Sequence, residues 1–206
     1  MKVDIERIKR LADQCLQETP TGDAFIDAQY DAQVAIIAHT NPYYRLFYMI
    51  AKELKPSLSV ELGSWRAIAA AHLAAGNPDG QVITIDHYSD PGDNENRRLA
   101  LEADDRYPNL ECVAGWTWDV APWVPDGIEL LFIDSWHEYG YAMRDWNDYS
   151  PKLASEALVI IDDVMDCGVI EEIDRFWAEV SEGRESFLDD RPHPGSPMGF
   201  MRWEAA

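Results

Sequence analysis

The chain has 206 residues, 47% of them apolar and 11% aromatic, which suits one domain with a large core needing neither disulfides nor metal to fold, and leaves too little for two. Thirty-eight Asp and Glu against 17 Lys and Arg give a formal charge of -21, a field that repels phosphate backbones and anionic headgroups, so neither nucleic acid nor membrane is expected as a partner. Only Cys15, Cys112 and Cys167 occur, without a CxxC pair, and no apolar run has the length of a signal peptide or membrane span, a pattern that fits the cytoplasm.

In chain order, Ile5, Ile8, Leu11, Ala12, Cys15 and Leu16 predict a helix stopped by Thr19-Pro20-Thr21-Gly22. Phe25, Ala28, Ala32, Ala35 and Ile36 predict a second, and Asn41-Pro42 opens a third that carries Tyr43, Phe47, Ile50 and Leu54. From Leu58 the period changes. Short apolar runs at Leu58–Leu62, Val82–Asp86, Leu110–Ala114, Leu130–Asp134 and Leu158–Asp162 alternate with segments of helical length, which predicts a parallel sheet between helices. The helix at Ala67–Ala75 is rich in small residues, and its His72 reads as packed rather than ligating. Tyr139, Met143, Trp146 and Ser150 form one later stripe; Ile170, Ile173, Phe176, Trp177 and Val180 form another. Phe187 to Phe200 reads as two edge strands about the turn Arg191–Pro197. The fold expected is therefore α/β, a Rossmann-like doubly wound, mostly parallel seven-stranded sheet with an antiparallel C-terminal edge. A helical N-terminal extension at 1–40 and a core at 41–206 form a single domain. The loop Ser89–Asp93 has the length of a lid but reads first as an ordinary surface loop.

The chemistry is expected where parallel strands end. Ser59-Val60-Glu61-Leu62-Gly63-Ser64-Trp65 runs from strand through a tight turn toward a helix, so Gly63 and Ser64 would present backbone N–H groups. The absence of GxGxxG argues against a dinucleotide. Glu61 would meet a cationic amine of a ligand, and Asp86, one strand over, a ribose diol. Asp134 and the pair Asp162-Asp163 close two further runs, and three neighbouring carboxylates would raise one another's pKa values unless a divalent cation, Mg²⁺ above all, sat among them. His137, three residues beyond Asp134, has the chemistry of a general base. Trp116, Trp118, Trp123 and Trp136 fall in loops where walls for a flat ligand would stand.

These residues resemble the class I S-adenosylmethionine-dependent methyltransferases, and among them the small metal-dependent O-methyltransferases, from about Tyr44 to Trp203. YRLFYMIAKELKPSLSVELG, at 44–63, is similar to the helix and first cofactor motif of that family, with Ala67 where the family usually has another Gly. The resemblance implies S-adenosylmethionine held by Glu61, Gly63, Ser64, Asp86, Trp116, Thr117 and Asp134. FIDSWHEYGYAMRDWNDYSPKL followed by ALVIIDDV resembles the family's metal motif, which implies a cation on Asp134, Asp162 and Asp163, a base at His137 and an aromatic wall at Trp136. The stretch also resembles the cephalosporin hydroxylase-like group of the same fold.

The expected activity is methyl transfer to a hydroxylated small molecule with a divalent cation assisting. A metal-dependent hydrolase or hydroxylase, or a non-catalytic binding protein on the same scaffold, are the alternatives. Residues 1–40 would cover the cofactor or form a homodimer contact.

Overall fold

The computed structural model describes residues 1–16, 20–37, 43–89, 93–164, 172–189 and 197–205. The side chains of residues 32–37 and 43, the Asn41-Pro42 helix start, the centre of the 89–93 loop, Cys167, Ile170 and the turn at 191–196 lie outside the described residues.

Three helices, α1 (Ile5–Cys15), α2 (Ala24–Ile37) and α3 (Tyr43–Leu54), precede the first strand. Asp4 caps α1 by accepting from the Arg7 N–H at 3.1 Å, and Ile5, Ile8, Leu11, Ala12 and Cys15 form its buried stripe. The alternating part then runs β1 (Leu58–Leu62), α4 (Ile68–Gly76), β2 (Gln81–Asp86), α5 (Asp93–Arg106), β3 (Leu110–Ala114), α6 (Thr117–Val120), β4 (Ile128–Ile133), α7 (Tyr139–Tyr149), β5 (Leu153–Ile161), α8 (Glu172–Ser181), β6 (Ser186–Asp189) and β7 (Met198–Glu204). The seven strands form one sheet in the order β3-β2-β1-β4-β5-β7-β6. β1 to β5 are parallel, and β7 lies antiparallel to both β5 and β6. This is the expected Rossmann-like architecture, including its antiparallel edge.

One face of the sheet packs against α1, α3 and α4, where Ile8, Phe47, Ala70, Leu130 and Phe200 belong to one apolar cluster. The other face packs against α7 and α8 through Val60, Leu131, Trp146, Phe176 and Met201. Coverage on both faces explains why the parallel strands read as nearly unbroken apolar runs.

The boundaries moved for physical reasons. β4 begins two residues before the expected Leu130 because the Glu129 carboxylate is neutralised by the Met1 amine at 3.1 Å and accepts from the Ser57 N–H at 2.5 Å. β5 begins at Leu153, which pairs with Ile128 of β4, and its polar start goes on to pair with β7 at Glu156↔Glu204 and Ala157↔Trp203. The strands β4 and β5 end at Ile133 and Ile161, so Asp134 and Asp162 are the first residues beyond them. No helix among the described residues is long and apolar enough to cross a membrane.

Candidate active site

The strand order reverses direction between β1 and β4, and at such a point the connections leave to opposite faces and a crevice opens at the carboxyl ends. Glu61, Asp86, Asp134 and Asp162-Asp163 all stand at this edge. Backbone bonds from Gly63 N to the Ile85 carbonyl at 2.8 Å, Asp134 N to Leu62 at 2.8 Å and Asp162 N to Ile133 at 3.0 Å continue the ladder past the strands and hold these ends in register. Trp65, Ala67, Tyr88 and Asp163, just beyond β1, β2 and β5, adopt left-handed φ values of 46°, 56°, 49° and 52°. Backbone strain of this kind gathers where a site demands a fixed geometry.

Glu61 is 2% exposed. Its carboxylate accepts from the Thr84 hydroxyl, its neighbour across the β1–β2 ladder, and faces the Ala70 N–H in the first turn of α4, which favours the charged form. Burial pushes its pKa well above the ordinary carboxylate range. Ser64, 4% exposed, joins the network at 2.6 Å from the Thr84 hydroxyl. The expected anion-binding turn is thus arranged differently. Gly63 gives its N–H to Ile85, the helix begins only at Ile68, and its first-turn N–H is directed at the chain's own Glu61.

Asp86 accepts from the Trp65 N–H at 2.8 Å and the Tyr88 N–H at 3.1 Å, one on each oxygen. A second lone pair on each oxygen remains by carboxylate stereochemistry. Beside it stands an aromatic wall. His87 stacks on Trp116 at 4.2 Å, Trp116 on Trp118 at 4.8 Å, Trp118 on Tyr141 at 5.9 Å, and Trp136 lies 5.6 Å from Tyr141 and 6.2 Å from His87. Trp116, Trp118 and Trp136 therefore share one wall, whereas Trp123 is 84% exposed in a 3-10 turn and has no part in it. Thr117 lies between Trp116 and Trp118 in the sequence, but its hydroxyl points inward to Asp145 at 2.5 Å.

On the other side of the crevice His137 stands between two acids, with Nδ1 3.2 Å from Asp163 Oδ2 and Nε2 3.6 Å from Asp134 Oδ1; all three side chains are about a third exposed. Burial raises the pKa of Asp134, and His137 counters part of the rise. Asp162 is pushed well above the ordinary range by burial, then by Asp134 and Asp163. Asp134 and Asp162 thus stand close enough for the charge of Asp134 to disfavour that of Asp162. Among the described residues no group of three or more His, Cys, Asp or Glu side chains is arranged ready to hold a metal ion; the imidazole takes the place between Asp134 and Asp163.

Sequence reasoning missed three contributors. Tyr44 of α3 has its hydroxyl pKa raised by burial, then by Asp134, Asp162 and Glu61, which places it among the acids. His87 and Tyr141 complete the aromatic wall. His87 directly follows Asp86 in the sequence, whereas Tyr141, five residues beyond Trp136, carries no such signal.

The sheet order, the antiparallel edge and the crevice at the β1–β4 reversal define the fold of the class I S-adenosylmethionine-dependent methyltransferases. The chain belongs to the methyltransferase-domain family, whose model matches residues 60–164. Among solved structures, the O-methyltransferase TomG of Streptomyces achromogenes, determined with S-adenosylmethionine, is 16% identical with a TM-score of 0.71 over 100% of both chains. The methyltransferase PaMTH1 of Podospora anserina, bound to S-adenosylhomocysteine, is 14% identical with a TM-score of 0.70 over 100% of this chain and 98% of that one. An O-methyltransferase of Bacillus cereus, also with S-adenosylhomocysteine, is 15% identical with a TM-score of 0.68, covering 97% and 99%. At these identities the likeness speaks for the fold. A curated relative, the uncharacterized protein R132 of Acanthamoeba polyphaga mimivirus, is 23% identical over 137 residues, and the match takes in 62% of each protein's length.

Proposed function

We propose that the chain transfers a methyl group from S-adenosylmethionine to a hydroxyl oxygen of a small molecule, with a divalent cation assisting. The observation that carries this reading is His137 held between Asp134 and Asp163 at the ends of β4 and β5, beside the crevice at the β1–β4 reversal. A substrate hydroxyl brought to His137 gives its proton to the imidazole, and the carboxylates on both sides stabilise the resulting imidazolium. The oxygen lone pair attacks the sulfonium methyl carbon in line; the C–S bond breaks, its electrons stay on sulfur, and S-adenosylhomocysteine leaves.

The acids also suit a cationic donor. Glu61, Asp134 and Asp162 have pKa values raised by burial and by neighbouring acids, and a positive sulfonium nearby would relieve that repulsion. Asp86 has lone pairs for a ribose diol, and the wall of His87 and Trp116 offers a flat face for adenine. The relatives solved with S-adenosylmethionine or S-adenosylhomocysteine support the choice of donor.

For the cation, the donor type suits Mg²⁺, since the candidate ligands are all carboxylate oxygens, but the side chains are gathered about the His137 imidazole and would have to turn toward an ion. Asp134, Asp162 and Asp163 would hold it. A bound divalent ion supplies Lewis acidity that lowers the pKa of a substrate hydroxyl.

Calorimetric titration with S-adenosylhomocysteine tests the donor, and no binding would end the reading. With an acceptor found by screening hydroxylated compounds, His137→Gln is expected to cut turnover at least about a hundredfold while leaving S-adenosylhomocysteine affinity unchanged. Turnover is expected to vanish in excess EDTA and return with Mg²⁺. Full turnover in EDTA would remove the cation and leave proton transfer to His137 alone.

A further inference from the structure

Two hydroxyl groups from two different segments of the crevice end on one buried carboxylate. Asp145 of α7 is 1% exposed. Its Oδ1 accepts from the Thr117 hydroxyl at 2.5 Å and its Oδ2 from the Ser135 hydroxyl at 2.5 Å. Tyr149, one turn further along the same buried face, donates its hydroxyl to the Thr117 carbonyl at 2.7 Å. α7 therefore grips Thr117 by both side chain and backbone.

The positions of the two donors give this brace its meaning. Thr117 stands in the sequence between Trp116 and Trp118, whose rings stack on each other at 4.8 Å. Ser135 separates Asp134 from Trp136 in the segment after β4, two residues before His137. The wall beside Asp86 and the acid–imidazole cluster thus share one anchor beneath the crevice floor.

A carboxylate is a poor choice there for stability alone. Burial raises the pKa of Asp145, Ser135 and Thr117 lower it in part, and Asp148 adds to the rise. A well-packed apolar residue would avoid that desolvation cost. What the carboxylate offers is two acceptors at a fixed spacing, short enough to set two segments in register.

We propose that Asp145 is a positioning residue that locks the start of α6 to the loop after β4, so that the aromatic wall and the Asp134–His137 segment are presented to their ligands as one rigid unit. The consequence for ligand binding rests on the methyltransferase reading; the brace itself rests on the contacts.

The test uses the full chain with Asp145→Asn, Ser135→Ala, Thr117→Val and the double variant Ser135→Ala/Asp145→Asn. Three quantities are measured: thermal midpoint, S-adenosylhomocysteine affinity by calorimetry, and the near-ultraviolet circular dichroism of the tryptophans. Asp145→Asn is expected to hold or raise the midpoint, weaken S-adenosylhomocysteine about tenfold, and diminish the tryptophan signal. Ser135→Ala, which leaves the buried carboxylate one donor short, is expected to lower the midpoint, to weaken S-adenosylhomocysteine and diminish the tryptophan signal in part, and to add little to those two effects in the Asp145→Asn background. If Asp145→Asn does not fold, Ser135→Ala and Thr117→Val decide by the same readouts. A lowered midpoint with unchanged affinity and unchanged tryptophan signal would overturn the proposal and leave Asp145 a packing residue. If the unaltered chain binds no S-adenosylhomocysteine, the methyltransferase reading fails, and the tryptophan signal against midpoint still decides the brace.

Discussion

At Gly63 the backbone has φ of +93°, and an added Cβ would lie 2.0 Å from the Asp134 carbonyl oxygen. Gly63→Ala is therefore expected to destabilise the protein by roughly 3 kcal/mol, combining left-handed strain with an overpacked contact, as read by urea unfolding. The sequence marked this glycine as a turn, but only the paired β1 and β4 ends reveal that it lets two backbones touch. His72 carries a second prediction. It is buried in α4, with Nδ1 2.8 Å from the Ile68 carbonyl, and burial lowers its pKa to about 4. A histidine with a folded pKa below its unfolded value of about 6.5 contributes stability that is intact above that value and is lost as pH falls toward 4. The loss is of order 3 kcal/mol. Chemical denaturation from neutral to acid pH should show it, and a His72→Gln variant should show a flatter profile.

Among the elements, α4 owes its place to small side chains. Ala67, Ala70 and Ala71 are fully buried, and a Cβ on Gly76 would lie 2.4 Å from the Tyr48 carbonyl of α3, so the two helices pack nearly backbone to backbone. Ala71→Leu is expected to cost about 1–3 kcal/mol with the fold retained, as measured by thermal unfolding. Such a helix is legible in sequence because alanine runs have few other uses. α7 was legible in extent but not in orientation. Its expected stripe of Tyr139, Met143, Trp146 and Ser150 is rotated, and the fully covered face is Ala142, Asp145, Trp146 and Tyr149. The polar Asp145 on that face, which accepts from Thr117 and Ser135, masked the periodicity. α5 was legible only as a segment of helical length, since Ala100 and Ala103 are its only residues classed as buried.

For the whole molecule, charge dominates. A net charge of -21 leaves many carboxylates facing one another, and the ion pairs of Arg7 with Glu53 and Arg98 with Glu95 lie at the exposed surface, where such pairs contribute little. Self-repulsion is thus largely uncompensated. Raising NaCl from about 20 mM to about 200 mM shortens the screening length several-fold and is expected to raise the thermal midpoint. A falling midpoint, followed by differential scanning fluorimetry, would show that specific ion pairs outweigh the general field.

The sequence by itself determined the alternation of strand and helix, the antiparallel edge and the set of acids at the strand ends, because burial on two faces writes continuous apolar runs and leaves a polar residue visible where each run stops. What only the tertiary structure decided was how those acids are used. Strand register turned Glu61 onto Thr84 and Ala70, set His137 between Asp134 and Asp163, and closed Thr117 and Ser135 onto Asp145. Hydrogen-bond partners are fixed by distance in space, and residues 28 apart such as Thr117 and Asp145 leave no pattern in a linear chain.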